Sequence, residues 1–336
     1  MSPNRVHTYL ILLLVSAIWG VAGVVIKYTL FGFAPLIFLT YRFFLSTLVC
    51  LPMILVLRNQ IPKDKKLLLE VLLYGFLTSS VALGLLFFGT EKTSAIDATL
   101  ITATAPILIA VAGALFLNEH VTLREKIGIG IAFAGTTIAI TEPLIHDGAS
   151  FAGLSGNLLV LLSVIVSTIT AVYAKILMRK DIDPLFATNI SFVVGFLTIF
   201  PVTLFFYTPK EIIASVLSTQ PSYHLGVLYM TFLSGILAYY LWHKAEKSIE
   251  VGEVGLIAYL YPVFGTPLAI LWLKEKVSLP FILGAIVIAI GVAVAEIKTR
   301  KSLKSKKKTY GNYSNNFVLT GGSQKGYLNY WAKVRK

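Results

Sequence analysis

An all-α integral membrane protein, with ten transmembrane helices arranged as two inverted five-helix repeats and both termini cytoplasmic, is the fold this sequence predicts. Composition is the first reason. Of 336 residues, 56% are hydrophobic and only 13% are charged, and the mean hydropathy is +0.80. A soluble globule of that make-up would expose more apolar surface than it could hide. Internal duplication is the second. The stretch from Pro106 to Gly135 recurs 156 residues later, and Pro106/Pro262, Glu119/Glu275, Gly128/Gly284 and Gly135/Gly291 keep register without a gap. The third is the count of long apolar stretches, since crossing roughly 30 Å of hydrocarbon takes about 20 mainly apolar residues.

Those stretches fall near Thr8–Tyr28, Pro35–Leu57, Leu67–Phe88, Ala95–Leu117, Arg124–Thr141, Gly153–Met178, Leu185–Tyr207, Tyr223–His243, Gly252–Leu273 and Leu279–Ile297. They run too long, with too little turn chemistry inside, to be buried strands. The first follows Arg5 as a signal peptide would, but it is too long and carries Trp19-Gly20 where a small-residue cleavage site belongs, so an uncleaved helix is expected. The single Cys50 lies inside the second span and permits no intrachain disulfide. Each copy of the repeat reads as an apolar helix around a proline, a short charged turn and a second, glycine-punctuated helix. The turns are Asn118-Glu119-His120-Val121-Thr122 and Lys274-Glu275-Lys276-Val277-Ser278. The expected units are residues 1–145 and 150–297, followed by a basic cytoplasmic tail, 298–336.

Lysine and arginine set the orientation, because short loops rich in them stay cytoplasmic. With the N-terminus inside, the inner loops hold Arg58, Lys63, Lys65, Lys66, Arg124, Lys126, Arg179, Lys180, Lys244 and Lys247, against Lys92, Lys210, Lys274 and Lys276 outside. An odd number of spans per half turns the second half upside down relative to the first. Most of the net charge of +13 sits in the inner loops and the tail, which therefore suit anionic inner-leaflet lipids. Tyr310, Tyr313, Phe317, Tyr327, Tyr330 and Trp331 interleave with that basic tail, but no nucleic-acid module is recognisable and nucleic acid is not an expected partner.

Trp19-Gly20 in the first helix, the paired Pro106 and Pro262, and the turns Leu117-Asn118-Glu119 and Leu273-Lys274-Glu275 with their following glycines resemble the EamA-type transporters of the drug/metabolite transporter superfamily. The resemblance covers roughly Tyr9 to Ile297. It implies two five-helix repeats of opposite orientation, a central cavity open alternately to each side, and movement of amino acids or other small metabolites, in a multi-pass protein of the plasma or inner membrane. Export of amino acids is the resulting expectation; drug-like or nucleobase-like metabolites are the alternative.

Candidate functional residues are the polar groups inside apolar helices. Arg42, seven residues into the second span, either anchors a substrate carboxylate or snorkels toward headgroups. Lys27 and Lys175 correspond between halves to within one residue when Pro35 is set on Pro184, and snorkelling accounts for both, with neutralisation of an anionic solute as the other reading. Asp97 and Glu253, 156 residues apart, are the deepest acids expected and the candidates for proton coupling, although acids in a first helical turn are favoured by the dipole anyway and Ser94 is placed to cap. Trp19, Tyr41, Thr99, Thr102, Ser167, Thr170, Tyr173, Tyr239, Tyr240, Trp242, Tyr259 and Tyr261 are the expected cavity wall. Tyr41, Trp242 and Tyr261 could equally be interfacial anchors.

Pro106 and Pro262 are expected to kink their helices. Glu119 and Glu275 read as caps or local ion pairs, and Gly128, Gly135, Gly284 and Gly291 as packing within each repeat, with a dimer face as the alternative; monomer and homodimer both stay open. No phosphate-binding loop or cofactor motif occurs, so the driving force is expected to be a gradient. His7, His120, His146, His224 and His243 lie at termini, loops or span ends without metal-ligand spacing. A membrane-embedded enzyme or a scaffold is the reading of another class, and neither a nucleophile–base pair nor a large extramembrane module supports it.

Overall fold

The computed structural model describes residues 3–117, 123–145, 151–248, 254 and 256–296. Among them every regular element is helical: α1 (Pro3–Thr29), α2 (Pro35–Val56), α3 (Lys65–Gly75), α4 (Leu83–Lys92), α5 (Ala95–Thr102), α6 (Ala105–Leu117), α7 (Leu123–Ile145), α8 (Phe151–Arg179), α9 (Pro184–Phe206), α10 (Pro209–Ser218), α11 (Pro221–Leu228), α12 (Ala238–Ser248), α13 (Tyr261–Leu268) and α14 (Leu279–Glu296). Seven helical runs are long and apolar enough to cross a membrane, and three shorter apolar helices, Lys126–Ile138, Ala258–Leu273 and Leu279–Gly291, fall on the fifth, ninth and tenth expected spans. Apolar side chains such as Leu55, Phe133, Leu197 and Leu271 stay exposed, as they should when lipid is the solvent.

Local chemistry sets the helix ends. Proline opens α2, α9, α10 and α11 at the first turn, where its missing N–H costs nothing. The Asp183 carboxylate accepts from the Leu185 and Phe186 amides at 2.9 and 3.1 Å to start α9. Two π-helical stretches, Phe76–Ala82 and Tyr229–Leu237, join α3 to α4 and α11 to α12. They occupy equivalent positions in the two copies, and such distortions often mark functional sites.

Three expectations change. Rather than kinking a continuous helix, Pro106 sits in the first turn of α6, after a break at Ala103–Thr104, and Pro262 opens α13 after the 3-10 turn Leu256–Leu260. The Thr102 and Thr104 hydroxyls donate back to Thr99 and Ile101 carbonyls at 2.9 and 2.6 Å, satisfying acceptors near the break. The eighth span runs past His243 to Ser248, because Lys244, Glu246 and Lys247 continue the helix.

The paired glycines join the copies to each other instead of packing within each one. A Cβ on Gly135 would lie 2.9 Å from the Gly284 carbonyl, and one on Gly291 would lie 2.7 Å from the Gly128 carbonyl. As numbers rise along α7 they fall along α14, so these equivalent helices run antiparallel at backbone contact. α2 and α9 repeat the pattern: the Thr40 and Thr203 hydroxyls meet at 2.7 Å, and the tilted rings of Phe44 and Phe196 lie 5.8 Å apart. Glu119, Glu253 and the tail lie outside the described residues.

Candidate solute cavity

A cavity of about 190 Å³ opens where α1, α3–α4, α5, α8, α12 and α13 converge. One wall is aromatic. The Trp19 indole N–H donates to the Ser234 carbonyl at 3.0 Å, and its ring lies 5.1 Å from Tyr239 and 5.2 Å from Trp242. Beside it, Gly20 brings α1 against α13, since a Cβ there would meet the Tyr261 carbonyl at 3.1 Å. The Trp-Gly pair thus supplies one ring and one close approach, and neither residue can do the other's work.

The facing wall carries hydroxyls. Ser163 donates to the Ala82 carbonyl, Thr168 to Val164, Thr170 to Ser167 and Thr99 to Ala95, at 2.7–3.0 Å. With each hydrogen committed to backbone, the oxygen lone pairs remain to accept from a solute N–H.

Arg42 is the exceptional residue. It has no exposed surface, lines the cavity, and none of its three guanidinium nitrogens has a hydrogen-bond partner. Its charge instead lies near the rings of Phe43, Phe87 and Phe192 at 5.4, 5.7 and 5.8 Å, an attraction worth about 2 kcal/mol each at best. Those attractions are of the same order as the several kcal/mol of desolvating a cation, but they leave every guanidinium N–H without an acceptor. Snorkelling is excluded, because no part of the side chain reaches the protein surface.

Beside the aromatic wall, on the same helix as Tyr239 and Trp242, stands a group that the sequence reading placed at a span end. His243 is buried, with Nε2 2.5 Å from the Tyr74 hydroxyl and Nδ1 2.9 Å from the Thr188 hydroxyl. Thr188 also donates to the Pro184 carbonyl. The arrangement closes if Nδ1–H donates to Thr188 and Tyr74 donates to Nε2, which is a neutral imidazole held in one tautomer. One turn further along α12, Glu246 is fully buried with neither carboxylate oxygen hydrogen-bonded. It is more deeply buried than Asp97, which corrects the expectation that Asp97 and Glu253 are the deepest acids.

The two corresponding lysines also fail to snorkel. Lys27 Nζ donates to the carbonyls of Thr90, Glu91 and Thr93 at 3.0, 2.9 and 2.5 Å, closing the C-terminal end of α4. Lys175 Nζ donates to the Glu246 carbonyl near the end of α12. Gly156, at the start of α8, packs against the end of α4, where an added Cβ would lie 2.9 Å from the Gly89 carbonyl and from Lys92. Lys175 then lies about 28 Å further along α8 at 1.5 Å per residue. The lysines therefore close opposite ends of the bundle, with the cavity between them. At the Lys27 end, the Glu275 carboxylate accepts from the Ala95 and Ile96 amides at 2.8 and 2.9 Å, so it caps a helix of the other copy. Ser94 caps Asp97 at 2.9 Å, and Asp97 is buried in that first turn.

The model of the EamA-like transporter family matches residues 7–141 and again 154–296. The chain belongs to that family. It is 26% identical over 295 residues to an uncharacterized transporter, YyaM, of Bacillus subtilis, covering 87% of this chain and 94% of the relative. It is 27% identical over 302 residues to a protein of Escherichia coli named a probable amino-acid metabolite efflux pump, covering 87% and 96%. A solved crystal structure shares the fold with a TM-score of 0.64 at 17% identity, over 88% of this chain and 97% of that one.

Within this EamA-family chain, Trp19, Arg42, Thr99, Thr102, Ser167, Thr170, Tyr239, Trp242 and Tyr261 all line the cavity. Four expected residues do not. Tyr41 turns away from Arg42 to meet His224 Nδ1 at 3.3 Å, Tyr173 stands behind Tyr74, Tyr240 lies under the Lys244 ammonium, and Tyr259 is outside the lining. Pro106 and Pro262 flank the cavity helices without lining it. Tyr74, Thr78, Ser163, Thr168, Ser234 and His243 are lining residues that sequence reading missed. The signal was present for His243: Tyr239, Trp242, His243 and Glu246 recur at helical spacing on one face.

Proposed function

We propose that this protein is a secondary transporter that carries a small carboxylate-bearing metabolite, an amino acid or a close relative, out of the cell by alternating access through the central cavity. The observation that carries the reading is Arg42: a fully buried guanidinium with no hydrogen-bond partner, aimed into a cavity. A bidentate carboxylate would satisfy it. Hydroxyl oxygens and ring faces on the other walls suit an ammonium. An apolar cavity of about 150 Å³ holds benzene, so the volume here suits an amino-acid-sized solute. The name of the Escherichia coli relative supports the export direction.

Ten spans in two inverted repeats, residues 1–145 and 150–297, with both termini inside, complete the proposal. It is supported by the antiparallel contacts of α7 with α14 and of α2 with α9, and by lysine-closed helix ends at opposite ends of the bundle. The basic tail then faces anionic inner-leaflet lipids.

Proteoliposomes containing the full chain, preloaded with unlabelled amino acids and offered labelled amino acids, purine derivatives and organic cations, test this by counterflow. Carboxylate-bearing solutes should exchange and Arg42→Lys should weaken them selectively. Exchange of cations alone, or equal loss for every solute, would overturn it. Labelling that put the loops after residues 141 and 297 on one face would overturn the topology.

A further inference from the structure

Beyond carrying a solute, the bundle holds a buried acid that the cavity does not use directly. We propose that Glu246 is a proton-binding carboxyl that takes up and releases one proton as the cavity changes state. The proposal rests on the transporter reading only for what the proton would be coupled to.

Glu246 has no solvent-exposed surface, and neither of its side-chain oxygens is hydrogen-bonded. An ionised carboxylate held that way is costly, and a carboxylic acid far less so. The one lysine acting on it, Lys175, is itself buried and directs its ammonium to the Glu246 backbone carbonyl. The side chain is therefore built for two states. Protonated, it sits neutral beside the Trp242 indole and the Tyr74 hydroxyl while Lys175 holds the helix end. Ionised, it draws the same ammonium from the carbonyl to the carboxylate. A shift of that kind moves α12 against α8.

Both helices line the cavity immediately beside this pair, through Trp242 and His243 on α12 and Ala174 on α8. Of the elements packed against α12, α8 brings Lys175, α1 brings Tyr9, α9 brings Thr188 and the π segment brings Tyr229. Tyr74 reaches His243 from α3, and Tyr239 and His243 belong to α12 itself.

The test is a pH titration of indole fluorescence in the detergent-purified full chain with Trp272→Phe and Trp331→Phe, leaving Trp19 and Trp242, which pack on each other one turn from Glu246. A single emission step is expected, lost in Glu246→Gln, displaced in Lys175→Met and retained in His243→Phe. Persistence of the step in Glu246→Gln, its loss in His243→Phe, or no step at all would overturn the proposal. Should Glu246→Gln aggregate on size exclusion, Glu246→Asp decides: a displaced step supports the assignment and an unmoved one refutes it. No transport is measured, so failure here falls on Glu246 and failure of counterflow falls on the transporter reading.

Discussion

The two lysine-closed helix ends are built alike but differ in one residue. At the first, Lys27 reaches the carbonyl of Thr90, whose hydroxyl bonds the Leu86 carbonyl at 2.8 Å. At the second, Lys175 reaches the carbonyl of Glu246, 156 residues on. The residue at this position is neutral and satisfied in the first copy and a buried acid in the second. The same asymmetry runs through the cavity wall. Leu83, Leu86, Phe87 and Ala105 of the first copy stand where the second has Tyr239, Trp242, His243 and Tyr261. Arg42 reverses the bias, since its counterpart, seven residues after the helix-opening Pro184, is Ser191. Duplication thus supplies the scaffold, while departures from it place one cation and one imidazole on the cavity wall and one acid a turn beyond it.

Exchanging residues between the copies breaks the comparison in graded ways. Arg42→Ser, which copies Ser191, should lower carboxylate counterflow about 10- to 100-fold, the loss of a charged hydrogen-bonded pair worth roughly 1.5–3 kcal/mol. Thermal stability should hold or rise, because an unsatisfied buried charge is removed. Gly135→Leu should lower the detergent melting midpoint by forcing α7 from α14 at a cost of about 1–3 kcal/mol, while Gly130→Ala, with open space around it, should be neutral or stabilising. His243→Phe, copying Phe87, takes the imidazole acceptor from the Tyr74 hydroxyl, for about 1–3 kcal/mol. Adding Tyr74→Met, which copies Met230, should recover part of that loss. The smallest effect belongs to Glu275→Gln: a weakened cap on α5, about 1 kcal/mol in the same melt.

Much of this was readable in advance, for physical reasons that also mark where reading fails. Repeat register exposed the duplication because glycine and proline positions are fixed by backbone contact. Thr99, Thr102, Ser167 and Thr170 stood out because a hydroxyl in an apolar helix needs a purpose. Facing is harder to read. Tyr41 and Arg42 are adjacent in sequence but about 100° apart around a helix, so only one reaches the cavity. His243 reads as a span end, and Glu246 falls beyond it, because Lys244 and Lys247 beside them read as inner-loop charges. Hydropathy averages over a turn and hides that two of four neighbours point inward. The glycines were legible as close contacts, but which helices they join is a tertiary fact.

The account stands or falls on Arg42 reading a carboxylate, and paired counterflow of labelled phenylalanine and phenylalaninamide tests that most directly. Wild-type protein should exchange the acid in preference to the amide, and Arg42→Gln should erase the preference. Equal exchange of both compounds by wild type, or a preference that survives in Arg42→Gln, would contradict it.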